Sequence, residues 1–170
     1  MKRILSLLLC ALLLLGGTGC QKDDASITLY FYYPMINYGY DQEAGKFSQQ
    51  SIQYEIRDDI EYKSARQVLE EYLKGPVDPS LITPFPAGIK LLDLSLDSKV
   101  LYLTVSDELS ELTGIPLTIA CSCLASTAMK ITPVTKVEIK CQNRSLDGKR
   151  SFVFSANTAI FSDSSVESNS

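Results

Sequence analysis

The feature that most restricts how this chain can fold is a short apolar run at its N-terminus. Lys2 and Arg3 precede about a dozen mostly apolar residues, 4–15, whereas a membrane-spanning helix needs about 20. A positive start, a short apolar core and small residues before a cut are typical of a secretory signal. We therefore expect a signal peptide over residues 1–19, which leaves about 150 residues, enough for one exported domain.

The expected cut falls at a cysteine. Residues 17–19, Gly-Thr-Gly, stand directly before Cys20, and this junction resembles the lipobox of bacterial lipoproteins, in which a signal peptidase cleaves before a diacylated cysteine. The resemblance implies diacylglycerol on Cys20 and an anchor at the extracytoplasmic face of the cell membrane. Two acyl chains anchor stably, since each buried methylene contributes about 0.8 kcal/mol. An ordinary secretory signal that contains a cysteine is the alternative.

Charge and composition exclude several classes of function. Removal of residues 1–19 leaves 14 basic and 20 acidic side chains, a net charge of about −6, which disfavours binding to nucleic acid. Histidine is absent, so the commonest general base and zinc ligand are missing. Asp58, Asp59 and Glu61 are close in sequence, but such charge runs are more typical of a solvated loop. We therefore expect no enzymatic activity, no metal and no cofactor besides the lipid.

Three cysteines follow the expected lipid site, at Cys121, Cys123 and Cys141. Positions two apart on a helix point about 200° apart, so Cys121 and Cys123 cannot easily face one metal. The simplest interpretation is that all three are small buried hydrophobic residues. A disulfide from Cys141 to Cys121 or Cys123 is the alternative.

Hydrophobic periodicity predicts an alternation of strands and helices. Prolines and glycines separate the segments, and the predicted order is β-β-α-β-β-α-β. We expect an α+β fold, with one mixed sheet, two helices packed on one of its faces, and Lys136, Glu138 and Lys140 on the solvent face. The predicted strands cover 27–33, 51–57, 89–96, 100–105 and 134–141, with a further strand at 151–154, and the helices cover 65–74 and 117–130.

Two local motifs stand out within this order. The first helix ends in Leu-Lys-Gly-Pro at 73–76, and Pro-Phe-Pro-Ala-Gly follows at 84–88. A tight turn at 97–99 predicts a hairpin of the strands 89–96 and 100–105. With this hairpin and the second helix, these motifs resemble the GerMN domain of sporulation and spore germination lipoproteins. The resemblance covers roughly residues 27–154 and implies a fold similar to the ring-building domains of secretion systems. It also implies a non-enzymatic interaction or assembly module of the cell envelope, acting in sporulation or spore germination.

The same reasoning divides the chain and suggests contact residues. We expect a lipidated linker over 20–26, a GerMN-like domain over 27–161 and a disordered polar tail over 162–170. The domain would then sit close to the bilayer, and the resemblance implies envelope or sporulation-complex proteins as partners, or self-assembly. The contact would be the polar sheet face or the tyrosine-rich segment 30–40, because tyrosine is common in interface hot spots.

Particular contact residues follow from these two regions. We predict partner binding by Tyr38 and Tyr40, and by Phe85 if the prolines beside it form an exposed ridge rather than a stiff surface crossover. A small-ligand-binding envelope lipoprotein is the alternative function, although such proteins are generally larger and two-lobed.

Overall fold

The structure is a computed structural model that describes residues 28–35, 40–41, 46–47 and 52–156. The α+β class and the predicted order of the main strands and helices are confirmed, with two very short strands added between the first two predicted ones. A 3-10 helix, Asp107–Glu111, precedes the second α-helix. The elements are β1 (Leu29–Pro34), β2 (Tyr40–Asp41), β3 (Lys46–Phe47), β4 (Ile52–Arg57), α1 (Ala65–Tyr72), β5 (Leu91–Asp97), β6 (Val100–Val105), α2 (Gly114–Ile131), β7 (Lys136–Cys141) and β8 (Phe152–Ser155).

Four strands form one sheet in the order β5-β6-β7-β8. The central pair, β6 and β7, is parallel, and both edge strands are antiparallel to their neighbours. Leu103 and Ile139 lie side by side on the inner face of this sheet and are fully buried. Between β6 and β7 the chain crosses over through α2, the helical connection that parallel neighbours require.

The expectation of one continuous sheet is wrong for the first strands. β1 pairs with β4 in a separate antiparallel ladder, and β2 pairs with β3. The other edge of β1 meets a helix instead of a strand, because the Tyr32 N–H donates to the Thr127 Oγ1 of α2 at 3.0 Å. A helix side chain thus satisfies a backbone donor that a neighbouring strand would otherwise take.

Helix α1 forms where the sequence predicts it and ends for the predicted reason. The Ser64 hydroxyl caps its first turn by accepting a hydrogen bond from the Gln67 N–H at 3.2 Å. Its buried face consists of Val68, Leu69 and Tyr72. Just beyond the last turn, Gly75 has a φ of +101°, a conformation that residues with a Cβ rarely adopt, so the glycine there stops the helix.

Helix α2 begins three residues earlier than predicted and packs against both sheets. The Gly114 N–H at its start donates to the Asp147 Oδ2 at 2.7 Å. The helix contacts β1 of the ladder and β7 and β8 of the four-stranded sheet. It is long and apolar enough to cross a membrane, but 56% of it is buried inside the fold. The core helix of a folded domain can have the same length and apolar composition. Its fully buried residues include Leu117, Ala120, Leu124 and Ala128.

Candidate functional site

The β1–β4 ladder exposes an apolar face to solvent. Residues directly opposite each other in an antiparallel pair share a face, and the register places Tyr30 opposite Ile56 and Tyr32 opposite Tyr54. Tyr54 is 44% exposed and Ile56 is 53% exposed, whereas Tyr32 is almost covered. We call this surface the outer ladder face; its members are Tyr30, Tyr32, Pro34, Ile52, Tyr54 and Ile56.

Three tyrosine rings on this face contact one another. The Tyr54 ring meets the Tyr30 ring edge-on at a centroid distance of 5.2 Å and the Tyr32 ring at 6.0 Å. Edge-to-face pairs are a favoured arrangement of aromatic rings. The three tyrosines are therefore held in one cluster. Side chains that are already fixed in this way lose little conformational freedom when the surface binds.

The opposite side of β4 carries polar residues, and they make specific bonds within the protein. The Glu55 Oε1 accepts hydrogen bonds from the backbone N–H groups of Val77 and Asp78, both at 2.9 Å. The Arg57 guanidinium lies 5.9 Å from the centroid of the Phe31 ring. Glu55 and Arg57 make these contacts on the inner side of β4. Because successive side chains of a strand point to opposite faces, the apolar residues of β4 face outward.

A pair of buried tyrosines connects the ladder to α1. The Tyr33 hydroxyl donates to the Tyr72 carbonyl at 2.6 Å, and the Tyr72 hydroxyl donates to the Tyr32 carbonyl at 2.7 Å. Burial raises the pKa of both phenols above the usual range. Both hydroxyls therefore stay protonated at neutral pH and serve as hydrogen-bond donors that hold the ladder against the helix.

A second exposed surface lies on the four-stranded sheet and is charged. On this face, residues that are paired in register across β5, β6, β7 and β8 form rows. Asp97 stands on the edge strand β5, while Lys136 and Lys140 stand on β7, and no ion pair among the described residues involves these three. We call this surface the outer sheet face; its members are Asp93, Ser95, Asp97, Val100, Tyr102, Thr104, Lys136, Glu138, Lys140, Val153 and Ser155.

Of the contact residues predicted from sequence, the structure describes the side chain of Phe85. Cys20 and Tyr38 lie outside the described residues, and the side chain of Tyr40 in β2 does too. The exposed ridge predicted at Phe85 is wrong, because Phe85 is only 7% exposed and its ring meets the Tyr72 ring edge-on at 5.4 Å. The proline-rich segment turns this ring into the core, where burial of an aromatic side chain contributes about 1.5–3 kcal/mol.

The outer ladder face escaped prediction because an alternating pattern does not say which side is buried. Ile52, Tyr54 and Ile56 alternate with polar residues, and the usual interpretation places the apolar set inside. One signal was available: an acidic and a basic residue, Glu55 and Arg57, share the other side of the strand. It could not be used without knowing that backbone donors lie opposite Glu55.

The three cysteines are buried free thiols, as the simplest interpretation predicted. Burial raises the pKa of Cys121 to about 12 and that of Cys141 to about 11, and it raises the pKa of Cys123 further. A nucleophilic or redox cysteine needs a lowered pKa and solvent access. The environment of these thiols opposes both roles.

The acidic segment after β4 is a solvated loop, as predicted. Arg57 hydrogen-bonds to Asp59 and thereby lowers the pKa of that carboxyl, and Glu61 pairs with Lys63 at 3.1 Å, with both side chains exposed. Within the described ranges, no three His, Cys, Asp or Glu side chains cluster in a way that could hold a metal ion.

Two of the open pockets on the surface are lined by described residues. One, of about 500 Å³, lies between α1 and the proline-rich segment and includes Glu70, Lys74 and Ile89 in its lining. The other, of about 370 Å³, lies beyond the end of β7. Three cations, Lys140, Arg144 and Arg150, line the second pocket, which makes it the more basic part of an acidic protein.

Comparison with known proteins gives one family. A sequence model of the Germane family, described as sporulation and spore germination, matches residues 28–147. No curated protein sequence matches the chain significantly.

Comparison with solved structures finds similarity at low sequence identity. The tandem GerMN domains of the sporulation protein GerM from Bacillus subtilis superpose with a TM-score of 0.49 at 18% identity, over 75% of this chain and 43% of that one. A candidate lipoprotein from Clostridium perfringens superposes with a TM-score of 0.44 at 20% identity, over 77% of this chain and 87% of that one. The chain therefore spans less than half the length of the GerM structure.

Proposed function

The chain belongs to the Germane family of sporulation and spore germination domains, and on that premise we propose that it is a lipid-anchored, non-enzymatic interaction module of the cell envelope. Its partners in this proposal are envelope proteins that assemble during sporulation or spore germination. The family match over residues 28–147 is the observation that carries the proposal. It also agrees with the GerMN resemblance inferred from the motifs at 73–76 and 84–88.

The lipid anchor in this proposal is the diacylated Cys20. It is supported by the apolar run at 4–15 and by the small residues directly before the cysteine. Residues 21–28 separate Cys20 from β1, and a fully extended segment of this length reaches at most about 28 Å. A domain on such a short tether works at the outer surface of the membrane.

The outer sheet face is the surface that we assign to protein partners. Charges of both signs that form no ion pair among the described residues stand on this face, with Asp97 on β5 and Lys136 on β7 on either side of Val100 in β6, and such a pattern recognises a partner of complementary charge. Tyr102 on β6 stands in the adjacent row of the same face, half-buried, and tyrosine is among the residues enriched in hot spots. The buried thiols and the absence of histidine support a binding role rather than a catalytic one.

Photo-crosslinking in intact cells tests this assignment. A photoreactive residue replaces Glu138 on the outer sheet face, and a matched control replaces Val77, which is 70% exposed and lies on neither face. We expect envelope proteins to be captured from position 138 and not from position 77. Equal capture at both positions, or none at either, would contradict the assigned surface.

The anchor is tested separately with the same cells. Labelled palmitate should be incorporated into the natural chain and not into Cys20→Ala, and the variant should leave the membrane fraction. A variant that stays in the membrane unlabelled would show that another segment holds the chain there.

Binding of a small anion is the second candidate function, favoured by the basic pocket beyond β7. Lys140, Arg144 and Arg150 line it, and no ion pair among the described residues involves them. Millimolar inorganic phosphate should raise the melting temperature if the pocket binds it, since a ligand of the folded state stabilises that state. An unchanged melting temperature in Arg144→Gln and in the natural chain alike would remove this candidate.

A further inference from the structure

The outer ladder face has a composition and a position that suit a lipid surface. We infer that this face rests on the headgroup region of the membrane to which the chain is tethered, and that the contact sets the orientation of the domain. The inference rests on the lipid anchor proposed above and adds a second, non-covalent contact with the bilayer. Three features of the chain support it: the place where the tether enters, the chemistry of the face and the surrounding charge.

The tether enters at the most exposed end of the face. β1 begins at Leu29, so Tyr30 is the first outward residue after the linker, and Ile56 is its partner across the ladder. Tyr54 and Ile56 are 44% and 53% exposed, whereas Pro34 at the far end is buried. A linker of at most about 28 Å therefore delivers to the bilayer the end of the face that is least covered by protein.

The chemistry of the face matches the boundary between water and hydrocarbon. It contains three tyrosines, two isoleucines and a proline, and none of these carries a charge at neutral pH. Tyrosine is enriched at membrane interfaces, where the ring lies in the apolar layer and the hydroxyl stays near water. Ile56, at the exposed end of the face, supplies an aliphatic side chain with no polar group to desolvate.

The surrounding charge indicates that this contact depends on the tether. Asp58 and Asp59 follow β4 directly, and the chain without residues 1–19 has a net charge of about −6. An anionic membrane does not attract such a protein. The tether raises the local concentration of bilayer around the face, so a patch too weak to bind membranes alone can still hold the domain in one orientation.

The consequence concerns the partner surface. The outer ladder face and the outer sheet face share no residue and belong to different sheets. A ladder that rests on lipid leaves the charged sheet face available to a protein partner. The lipid contact would then determine how that charged face is presented to neighbouring proteins.

Single tryptophans provide a direct test, because the chain contains none. Ile56→Trp places the fluorophore on the outer ladder face, and Val153→Trp places it on the outer sheet face at a nearly equal exposure of 57%. The lipidated full chain is reconstituted into neutral phosphatidylcholine vesicles with or without bromine on the acyl chains. We expect brominated lipid to quench the Ile56→Trp emission by about two-fold or more, as for a residue at the interface, and to leave the Val153→Trp emission unchanged.

The possible outcomes separate this inference from the proposed anchor. Flotation of the vesicles is measured first, and a chain that does not float overturns the anchor and the inference together. A chain that floats while Ile56→Trp and Tyr54→Trp both stay unquenched overturns the inference alone. Blue-shifted emission without quenching would place the face against protein, in a second copy or a partner, and would also overturn it.

Discussion

The ladder and the four-stranded sheet share the same alternating pattern of apolar and polar residues. They differ in whether the apolar side of the strand faces the core or the solvent. In β7, Ile139 points into the core and is fully buried, while Lys140 is exposed. In β4, Ile56 points outward and is 53% exposed, while the Glu55 carboxylate binds backbone N–H groups of the adjacent loop. Both strands alternate apolar and polar residues, yet only one of them buries its apolar side.

The difference shows that the groups packed against a strand decide which of its two sides is buried. The apolar side of β7 meets α2, which offers a helix face of small and aliphatic residues. The side of β4 that carries Glu55 meets the backbone N–H groups of Val77 and Asp78, which donate to its carboxylate. Leaving Ile56 half exposed forgoes roughly 1 kcal/mol of hydrophobic burial, a modest cost for a surface that can serve as a contact.

A matched pair of isoleucine truncations gives the largest expected contrast. Ile139→Ala removes a fully buried side chain and should lower the free energy of unfolding by about 2–5 kcal/mol. Ile56→Ala removes an exposed one and should change it by no more than about 0.5 kcal/mol. Urea unfolding of both variants measures the contrast, and a large loss in Ile56→Ala would show that the outer ladder face is packed against something within the chain.

Alkaline pH should destabilise the protein in two stages, first through the buried thiols and then through the buried tyrosines. Unfolded thiols lose their protons near pH 8.5, whereas burial keeps Cys121 and Cys141 protonated until pH values of about 12 and 11. Between these limits the unfolded chain binds fewer protons than the folded one, so the thiol contribution to the free energy of unfolding is constant below about pH 8.5 and falls above it. The fall is about 1.4 kcal/mol per pH unit for each such thiol.

The double variant Cys121→Ala and Cys141→Ala separates the thiol contribution from the tyrosine contribution in that experiment. It leaves one buried thiol, Cys123, so the slope from about pH 8.5 to 10 should drop to roughly one third. Above about pH 10 the raised pKa values of Tyr33 and Tyr72 add a further fall that both proteins share. Urea titrations at several pH values under reducing conditions measure the slopes, and equal slopes would contradict the buried, protonated thiols.

Two glutamates test the inward polar side of β4. Glu55→Ala removes the acceptor of two backbone hydrogen bonds and should destabilise the protein by about 1–3 kcal/mol. It should also speed hydrogen exchange at Val77 and Asp78. The matched control Glu138→Ala, on the outer sheet face, should stay within about 0.5 kcal/mol. Glu55→Gln keeps one oxygen acceptor, so we expect an intermediate loss of stability. If Glu55→Ala were neutral, the hydrogen bonds would not determine which side of β4 faces inward.

Much of the fold could be predicted from the sequence because local signals agree with the final structure. The periodicity of 65–74 and the glycine at 75 predicted α1 and its end, and the hairpin of β5 and β6 followed from its short turn. Local periodicity does not encode which strands pair across the chain. The separate ladder therefore escaped prediction, because it depends on the Thr127 hydroxyl of α2 occupying one edge of β1.

The candidate contact surfaces were predicted only in part. The polar residues of β7 were expected on the solvent face, and Lys136 and Lys140 are exposed there. An exposed Phe85 was one of two interpretations of the proline-rich loop, but loop position does not determine where a side chain points. The Tyr72 ring it meets lies more than ten residues earlier in the chain, and such long-range contacts are invisible to local patterns.

The smallest expected effect tests how the ladder is fastened to the helices. Tyr72→Phe removes the hydroxyl that donates to the Tyr32 carbonyl at 2.7 Å and should cost about 0.5–1.5 kcal/mol. Tyr102→Phe on the outer sheet face is the control and should be nearly neutral. If the ladder is fastened by this bond, hydrogen exchange in β1 should quicken in Tyr72→Phe while exchange in β7 stays unchanged. Uniform acceleration in both strands would mean that ladder and sheet unfold as one unit, and the contrast between them would then concern surface chemistry alone.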